Sequence, residues 1–268
     1  TLFRSSEHVF NRNISMPRMA DDQIRINIPF EFRDYIQGEL KDYIFDYAFL
    51  SNEETMNEST GELSMSLVVA AVSKEYLEEM REILRLAGLK MVKATPEIFV
   101  YEDVLALLPG EEERKKERCF LEIGNNSTRM LIYKDGRYKL THMVDIGEEK
   151  IIQVIADEMN VDMHLARTYL RTNYEGCQEL PAVQNTYKDI SLEVLKGINF
   201  YEVSDMSARL ADIALCGSGA MIPPLVKLLK DRITMNVKTV AELFPERNSD
   251  GNLNVTTASL GLVLEKER

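Results

Sequence analysis

The sequence has few cysteines and lacks any long apolar run. Its three cysteines, Cys119, Cys177 and Cys216, are odd in number and far apart, so a secreted disulfide framework is disfavoured and a reducing cytosol is expected. The longest purely apolar run, from Leu67 to Val72, is much shorter than the ~20 residues that cross a bilayer. A membrane-spanning protein and a disulfide-stapled one are therefore both disfavoured.

Basic charge is also scarce. The 32 Lys and Arg residues against 44 Asp and Glu residues give a formal net charge of −12, and no local basic stripe offsets it. Because such a chain repels a phosphate backbone, we exclude nucleic acid as the expected partner. With 268 residues, of which 45% are hydrophobic, the chain has the size and apolar content of one large globular domain or two modest ones.

Several common catalytic and cofactor motifs are missing. The three histidines, His8, His142 and His164, are scattered, and no cluster of histidine, cysteine and carboxylate side chains has metal-ligand spacing. The Gly217-Ser218-Gly219 segment lacks the third glycine of a dinucleotide fingerprint, since position 222 is isoleucine. The phosphate loop with lysine followed by serine or threonine is absent as well. We therefore expect no metal site, no nicotinamide site and no identifiable catalytic residue.

The first part of the chain alternates strand and helix patterns. After a polar strand pair at 7–14, we predict a helix at 24–40 that Pro29 kinks or begins, and a hairpin of strands 43–50 and 63–72 around a polar loop, 52–61. Ser73 is placed to cap a helix that ends at Gly88. A short strand at 91–94 then leads to a helix that Thr95 and Pro96 open.

A charged segment, 111–118, predicts a linker before a second pattern begins. Beyond it, Asp135 and Gly136 form a typical two-residue hairpin turn between apolar strands. The predicted elements are strands 119–123, 129–133 and 138–144, helices 148–159, 162–172 and 189–209, strand 211–215, and a glycine loop opening a helix to Lys230. Antiparallel strands, helices, a buried strand and a glycine loop together predict an α/β domain.

The turn after the strand that ends at Glu122 and Ile123 is the first candidate binding element. Gly124 permits a sharp turn in which consecutive backbone N–H groups point at an anion, and the hydroxyls of Ser127 and Thr128 add possible donors. The alternative is an ordinary hairpin with a polar tip at Asn125 and Asn126.

The loop after the strand that ends at Cys216 is the second candidate. Its glycines let the backbone approach a ligand at the start of a helix, although a glycine pair alone is a weak signal and Cys216 itself fits a buried structural thiol better than a nucleophile. The candidate cofactor-binding residues are Glu122, Gly124, Asn125, Asn126, Ser127, Thr128, Gly217, Ser218, Gly219 and Ala220.

Taken in order, these segments resemble the actin-like ATPase superfamily, and within it the PilM family of type IV pilus assembly. The matching segments are Asn13 to Met19, Tyr35-Ile36, Asp46-Tyr47, Ala87 to Lys90, Thr95 to Phe99, Glu122 to Thr128, Gly217 to Ala220 and Thr257 to Leu262. The resemblance implies an actin-like, ribonuclease H-like α/β fold with an inserted α+β subdomain. It assigns 1–110 to an incomplete first domain with that insertion, 111–118 to the linker, and 119–268 to a second domain with a C-terminal return helix.

The same resemblance implies a site for ATP and Mg²⁺, with departures. The family's second phosphate motif opens with aspartate where this sequence has Glu122, and Ser218 stands in the centre of the adenosine loop. The chain begins at Thr1 without methionine, and we expect it to be a fragment without the first phosphate hairpin. This fragment is accordingly expected to bind ATP poorly or not at all, and the intact protein to be at most a weak ATPase.

The resemblance implies a cytoplasmic scaffold at the inner face of the inner membrane. The resemblance also implies that this scaffold binds the short N-terminal cytoplasmic peptide of a PilN-like bitopic partner, in a groove lined by residues around 1–10 and 35–47. The alternative is that those aromatic residues belong to the core. Two alternatives remain: a cell-division protein of the FtsA type, which is expected to end in a basic amphipathic membrane helix, and a small-molecule kinase, for which Asp145 is the one candidate base.

Overall fold

The computed structural model describes residues 2–3, 9–36, 38–50, 55–56, 63–204, 208–248 and 252–264. The chain divides into two compact units, Thr1–Val100 and Tyr101–Arg268. The domain assignment made from the sequence, which ends the first domain at residue 110, stays a prediction. Each unit is described by itself.

The first unit contains a small antiparallel sheet. Its elements are β1 (Leu2–Phe3), β2 (Val9–Pro17), α1 (Asp21–Asn27), β3 (Tyr43–Phe49), β4 (Thr55–Met56), β5 (Leu63–Ser73), α2 (Lys74–Leu86), β6 (Thr95–Pro96) and the start of α3 (Glu97–Ala106), with 3₁₀ turns at Ile28–Phe32 and Leu40–Asp42. β5 lies between β2 and β3, β4 also pairs with β5, and β1 pairs with β6 in parallel. The predicted β3–β5 hairpin is confirmed.

One face of this sheet carries the apolar core. Met65, Leu67 and Val69 of β5 are buried against α1 and the 3₁₀ turn, where Ile24 and Phe32 are buried too. These β5 residues alternate along the strand, as expected when side chains on a strand point to opposite faces. Val68, which lies between Leu67 and Val69, is 1% exposed as well, so β5 is buried on both faces at this point, in keeping with its continuous apolar run from Leu67 to Val72.

Some local predictions for this unit are wrong. The predicted helix 24–40 is instead α1, which ends at Asn27, because Pro29 has no N–H to continue the helical hydrogen bonds. Residues 91–94 form no strand, and Thr95 and Pro96 belong to β6 rather than to a helix cap. The predicted loop 52–61 includes β4, and its other residues lie outside the described part of the chain. The cap at Ser73 is confirmed, since its Oγ accepts from the N–H of Tyr76 at 3.4 Å.

The second unit is a five-stranded sheet with helices. Its elements are the rest of α3, α4 (Glu111–Lys115), β7 (Arg118–Ile123), β8 (Thr128–Lys134), β9 (Arg137–Val144), α5 (Glu148–Met159), α6 (Met163–Thr172), α7 (Pro181–Ser204), β10 (Asp212–Cys216), α8 (Pro223–Arg232), β11 (Asn236–Thr239), α9 (Val240–Leu243) and α10 (Leu253–Leu264). The strand order is β11-β10-β7-β8-β9. β11, β10 and β7 run parallel, whereas β8 and β9 are antiparallel hairpin partners.

The central strand β7 is buried along its whole length. Cys119, Leu121 and Ile123 belong to the main core of the unit, together with buried side chains of α5 to α8. The ring of Phe120 contacts Tyr101 of α3 and Tyr133 of β8, at centroid distances of 4.7 and 5.7 Å. Burial on both faces is typical of a central strand in a sheet that is covered on both sides, and it fixes the position of the carboxyl end of β7.

Most predicted elements of this unit are confirmed, with shifted boundaries. The charged segment 111–118 contains α4, and its last residue, Arg118, is the first of β7. α7 begins at Pro181, eight residues before the predicted start, and β11 was not predicted at all. Asp135 and Gly136 adopt the positive φ angles, 55° and 75°, that their hairpin turn requires. The helix predicted around 257–262 lies within α10.

An ion pair is buried at the amino end of the parallel strands. The Nη2 atom of Arg118 donates to Oδ2 of Asp212 at 2.8 Å and to Glu113 at 3.3 Å. Asn236 of β11 donates to the other oxygen of Asp212 at 2.8 Å. Arg118 is 1% exposed, so the pair joins β7, β10 and β11 inside the protein.

Candidate functional site

The two glycine-bearing turns lie side by side in the second unit. β7 and β10 are parallel neighbours, with Glu122 opposite Cys216 in the register, so the turns leave the same edge of the sheet. The Oγ atom of Ser218 donates to the carbonyl oxygen of Ile123 at 3.5 Å. The structure therefore brings together the two sets of residues that the sequence placed about ninety positions apart.

Close approach of the two turns requires Gly217 and Gly219. A Cβ atom at Gly217 would lie 2.9 Å from the carbonyl carbon of Ile123, and one at Gly219 would lie 2.6 Å from the Cβ of Ile123. Gly217 also has a φ angle of 83°, which L side chains rarely adopt. These glycines have a packing role, whatever ligand the turns bind.

The first turn is closed by its own hydrogen bonds. The N–H of Gly124 donates to the carbonyl of Ser127 at 2.9 Å, and Asn125 and Asn126 are exposed at the tip. Thr128 is fully buried, and its hydroxyl donates to the carbonyl of Ile146 at 2.8 Å. Thr128 thus fixes the turn against the end of β9, while the tip residues face solvent.

The start of α5 packs directly on the same turn. The N–H groups of Glu148 and Glu149 donate to the carbonyls of Gly124 and Asn125 at 2.9 and 2.8 Å. A Cβ atom at Gly147 would lie 2.7 Å from the carbonyl oxygen of Gly124. Sequence analysis missed Gly147. A glycine between a strand and a helix was its only signal, and that signal is common at helix starts.

Glu122, the residue predicted to open the phosphate motif, forms an ion pair. It stands opposite Arg129 in the register of β7 and β8, and the Nη2 atom of Arg129 donates to its Oε2. The side chain of Glu122 is 5% exposed and that of Arg129 is 19% exposed. The carboxylate at the end of β7 is therefore buried and already neutralised by a guanidinium.

A second arginine contacts the tip of the turn. The Nη2 atom of Arg167, on α6, donates to Oδ1 of Asn125 at 3.2 Å. Beside it is an open cavity of about 480 Å³, lined by Asn126, Asp145, Ile146, Gly147, Glu149, Lys150, Gln153 and Met163. Arg129 and Arg167 were not identified from the sequence, because only the folded sheet and helix α6 place them beside the turn.

The described residues offer no ready metal centre. Among them, no three histidine, cysteine, aspartate or glutamate side chains converge as metal ligands. Cys119, Cys177 and Cys216 are buried thiols. Within the described part of the chain, none of the helices combines the length and apolar character that crossing a bilayer requires.

The residues predicted to line a peptide groove belong to the first unit. Tyr43 and Tyr47 of β3 are partly buried and pack on the core of the small sheet. Ile44 and Phe49 are 46% and 44% exposed, and the guanidinium of Arg12 stacks on the half-exposed ring of Tyr35 at 4.0 Å. Of 1–10, only 2–3 and 9–10 are described. The aromatic side chains thus divide between the core and the surface.

Known proteins share this architecture. The solved PilM–PilN type IV pilus biogenesis complex matches with a TM-score of 0.77 and 22% identity, over 97% of this chain and 77% of that chain. The ethanolamine utilization protein EutJ from Carboxydothermus hydrogenoformans matches with a TM-score of 0.51 and 15% identity, over 70% of this chain and 60% of that chain. MreB5 of Spiroplasma citri bound to AMPPNP matches with a TM-score of 0.50 and 12% identity, over 72% of this chain and 64% of that chain. These likenesses confirm the predicted α/β, actin-like fold.

Sequence comparison identifies the family. No curated protein sequence matches this chain. A family model described as type IV pilus assembly protein PilM, however, matches residues 3–259, nearly the whole chain. Since that match agrees with the fold, this is an actin-like protein of type IV pilus assembly, and the chain belongs to the PilM family.

Proposed function

We propose that this protein is a scaffold of type IV pilus assembly that binds the N-terminal cytoplasmic peptide of a PilN-like membrane protein. The observation that carries the proposal is the family match over residues 3–259, together with a fold similar to that of the PilM–PilN complex. Such a protein works at the cytoplasmic face of the inner membrane, where the partner holds it.

The small sheet of the first unit has a strand edge suited to an extended peptide. β3 pairs with β5 along one edge, and within the described residues no strand pairs with its other edge. A peptide strand added there gains main-chain hydrogen bonds, while side-chain contacts supply specificity. Ile44 and Phe49 are the half-exposed apolar side chains of β3 that such a peptide would cover. The net charge of −12 favours a peptide that carries basic residues.

Nucleotide binding is the second part of the proposal. We place the phosphate end of ATP at the paired turns 124–128 and 217–220 at the carboxyl edge of the sheet, where Asn125 and Asn126 are exposed to solvent. Ligands of open α/β sheets bind at that edge, where strand ends and loops converge. MreB5, which shares the fold, is bound to AMPPNP. In this proposal the nucleotide tunes the scaffold rather than driving catalytic turnover.

Changing Ile44 to glutamate tests the peptide site. We expect the affinity for a synthetic N-terminal PilN peptide to fall by about tenfold or more, because a charge replaces a half-exposed apolar contact at the strand edge. Fluorescence anisotropy of the labelled peptide with the full-length protein measures this. Ile83→Glu is the matched control, because Ile83 is a 51%-exposed isoleucine of α2 in the same unit.

Equal loss of affinity in both variants would place the peptide elsewhere. No affinity of the unmodified full-length protein for the peptide would reject the scaffold proposal itself. Thermal unfolding of each variant checks that the unit remains folded.

A further inference from the structure

The fold family implies Mg²⁺ with the nucleotide, and the residues here do not fit that ion. The resemblance gives the metal's carboxylate position to Glu122. In this structure that carboxylate is buried and bonded to Arg129, which lies directly opposite on β8. Mg²⁺ is a hard cation that holds its water shell tightly and needs accessible oxygen atoms to bind that shell. A buried carboxylate beside a guanidinium does not offer one.

Freeing Glu122 for a metal would be costly. Removing one partner from a buried ion pair leaves an uncompensated charge in a poorly solvated place, and the protein resists it. The guanidinium of Arg129 would also repel a dication brought close to the same carboxylate. The pair is therefore expected to persist when a ligand binds.

Within the described residues, no group of three metal-ligating side chains lies near the turn to replace Glu122. Asp145 and Glu149 line the neighbouring cavity, but they do not form part of any three-ligand group within the described residues. The turn instead has a side-chain cation of its own, since Arg167 is anchored to Asn125 at the tip. A fixed guanidinium is well suited to phosphate oxygens, which it binds through parallel N–H donors.

We propose that this protein binds ATP without Mg²⁺, because Arg129 occupies the carboxylate of Glu122 and Arg167 supplies positive charge at the turn. The proposal rests on the nucleotide site proposed above. It identifies the ligand as free ATP, with the guanidinium of Arg167 rather than a metal ion supplying positive charge beside the phosphates.

Calorimetric titration of the full-length protein with ATP, in Mg²⁺ and in excess EDTA, tests the proposal. We expect the two dissociation constants to agree within about threefold. We expect Arg167→Gln to weaken binding in both buffers by about fivefold or more, because it removes a charge-assisted contact. Arg171→Gln, one turn further along α6 and exposed, is the matched control and should leave both constants unchanged.

A second variant reports on Glu122 directly. Arg129→Gln releases the carboxylate, so affinity for ATP should become higher in Mg²⁺ than in EDTA. If this variant does not fold, the proposal is decided by the two dissociation constants of the unmodified protein, measured in Mg²⁺ and in EDTA. Binding that needs Mg²⁺ in the unmodified protein would overturn the inference and leave the nucleotide site standing. Absence of binding in both buffers would reject the nucleotide site and the inference with it.

Discussion

Replacing Gly217 with alanine is expected to lower the free energy of unfolding of the second unit by about 3 kcal/mol or more. Two costs combine at this position. The φ of 83° and ψ of −179° are adopted comfortably only by glycine, and the added Cβ would lie 2.9 Å from the carbonyl carbon of Ile123. The obstacle is backbone at the end of the central strand, so it cannot move aside as a flexible side chain would. Urea denaturation followed by circular dichroism measures the change.

Gly110→Ala separates these two costs. Gly110 has a φ of 81° and ψ of 149°, and a Cβ added there would meet nothing within 4 Å. It therefore has the backbone cost without the contact, about 1 to 3 kcal/mol. If Gly217→Ala destabilises no more than Gly110→Ala, the two turns do not approach each other as closely as described.

Breaking the buried ion pair of Arg118 has the second large effect. Asp212→Asn leaves the guanidinium of Arg118 without its buried carboxylate, and removal of one partner from such a pair costs about 3 to 5 kcal/mol. Within the described residues, Nε and Nη1 of Arg118 have no hydrogen-bond partner, and the carboxylate that remains beside Nη2 is that of the partly exposed Glu113 at 3.3 Å. Thermal and urea unfolding should both show the loss. Asp231→Asn, on the exposed face of α8, is the matched control and should change stability little.

The same pair makes stability depend on pH. Burial raises the pKa of Asp212, but the hydrogen bonds from Asn236 and Arg118 and the charge of Arg118 outweigh it and lower that pKa below its ordinary value of 3.8. A lowered pKa stabilises the folded state above pH 3.8, and this contribution disappears as the pH falls through the lower, folded-state value. The stability gap between the unmodified protein and Asp212→Asn should therefore be constant near neutrality and shrink in acid. A gap that widens in acid would contradict the pairing.

Local signals in the sequence predicted local structure well. Asp135 and Gly136 specified a hairpin turn, and Ser73 specified a helix start, because the residues responsible for each are adjacent or three positions apart. Pro29 was predicted to kink or begin a helix 24–40, whereas the α-helix ends at Asn27, before the proline ring. The four-residue strand β11 contains one buried apolar residue, Val237, so its sequence carries no strand pattern to detect. It exists because β10 offers it an edge.

Sequence patterns singled out the glycine-bearing turns of the candidate site, but they did not identify its two arginines, Arg129 and Arg167. The family resemblance assigned both turns to one site, and the structure places them at the ends of the parallel neighbours β7 and β10. The partners of those turns come from other elements. Arg129 reaches Glu122 across the sheet, and Arg167 reaches Asn125 from α6, 42 residues away in sequence. Pairings of this kind depend on tertiary structure, which no local pattern records.

Amide chemical shifts provide the most direct measurement of whether the two turns form one nucleotide site. In ¹H–¹⁵N spectra of the full-length protein titrated with ATP, the signals of Gly124 to Thr128 and of Gly217 to Ala220 should shift together with one dissociation constant. Signals of the distant hairpin residues Asp135 and Gly136 should stay in place. Shifts confined to one turn, or to neither while ATP binds elsewhere, would contradict a shared site.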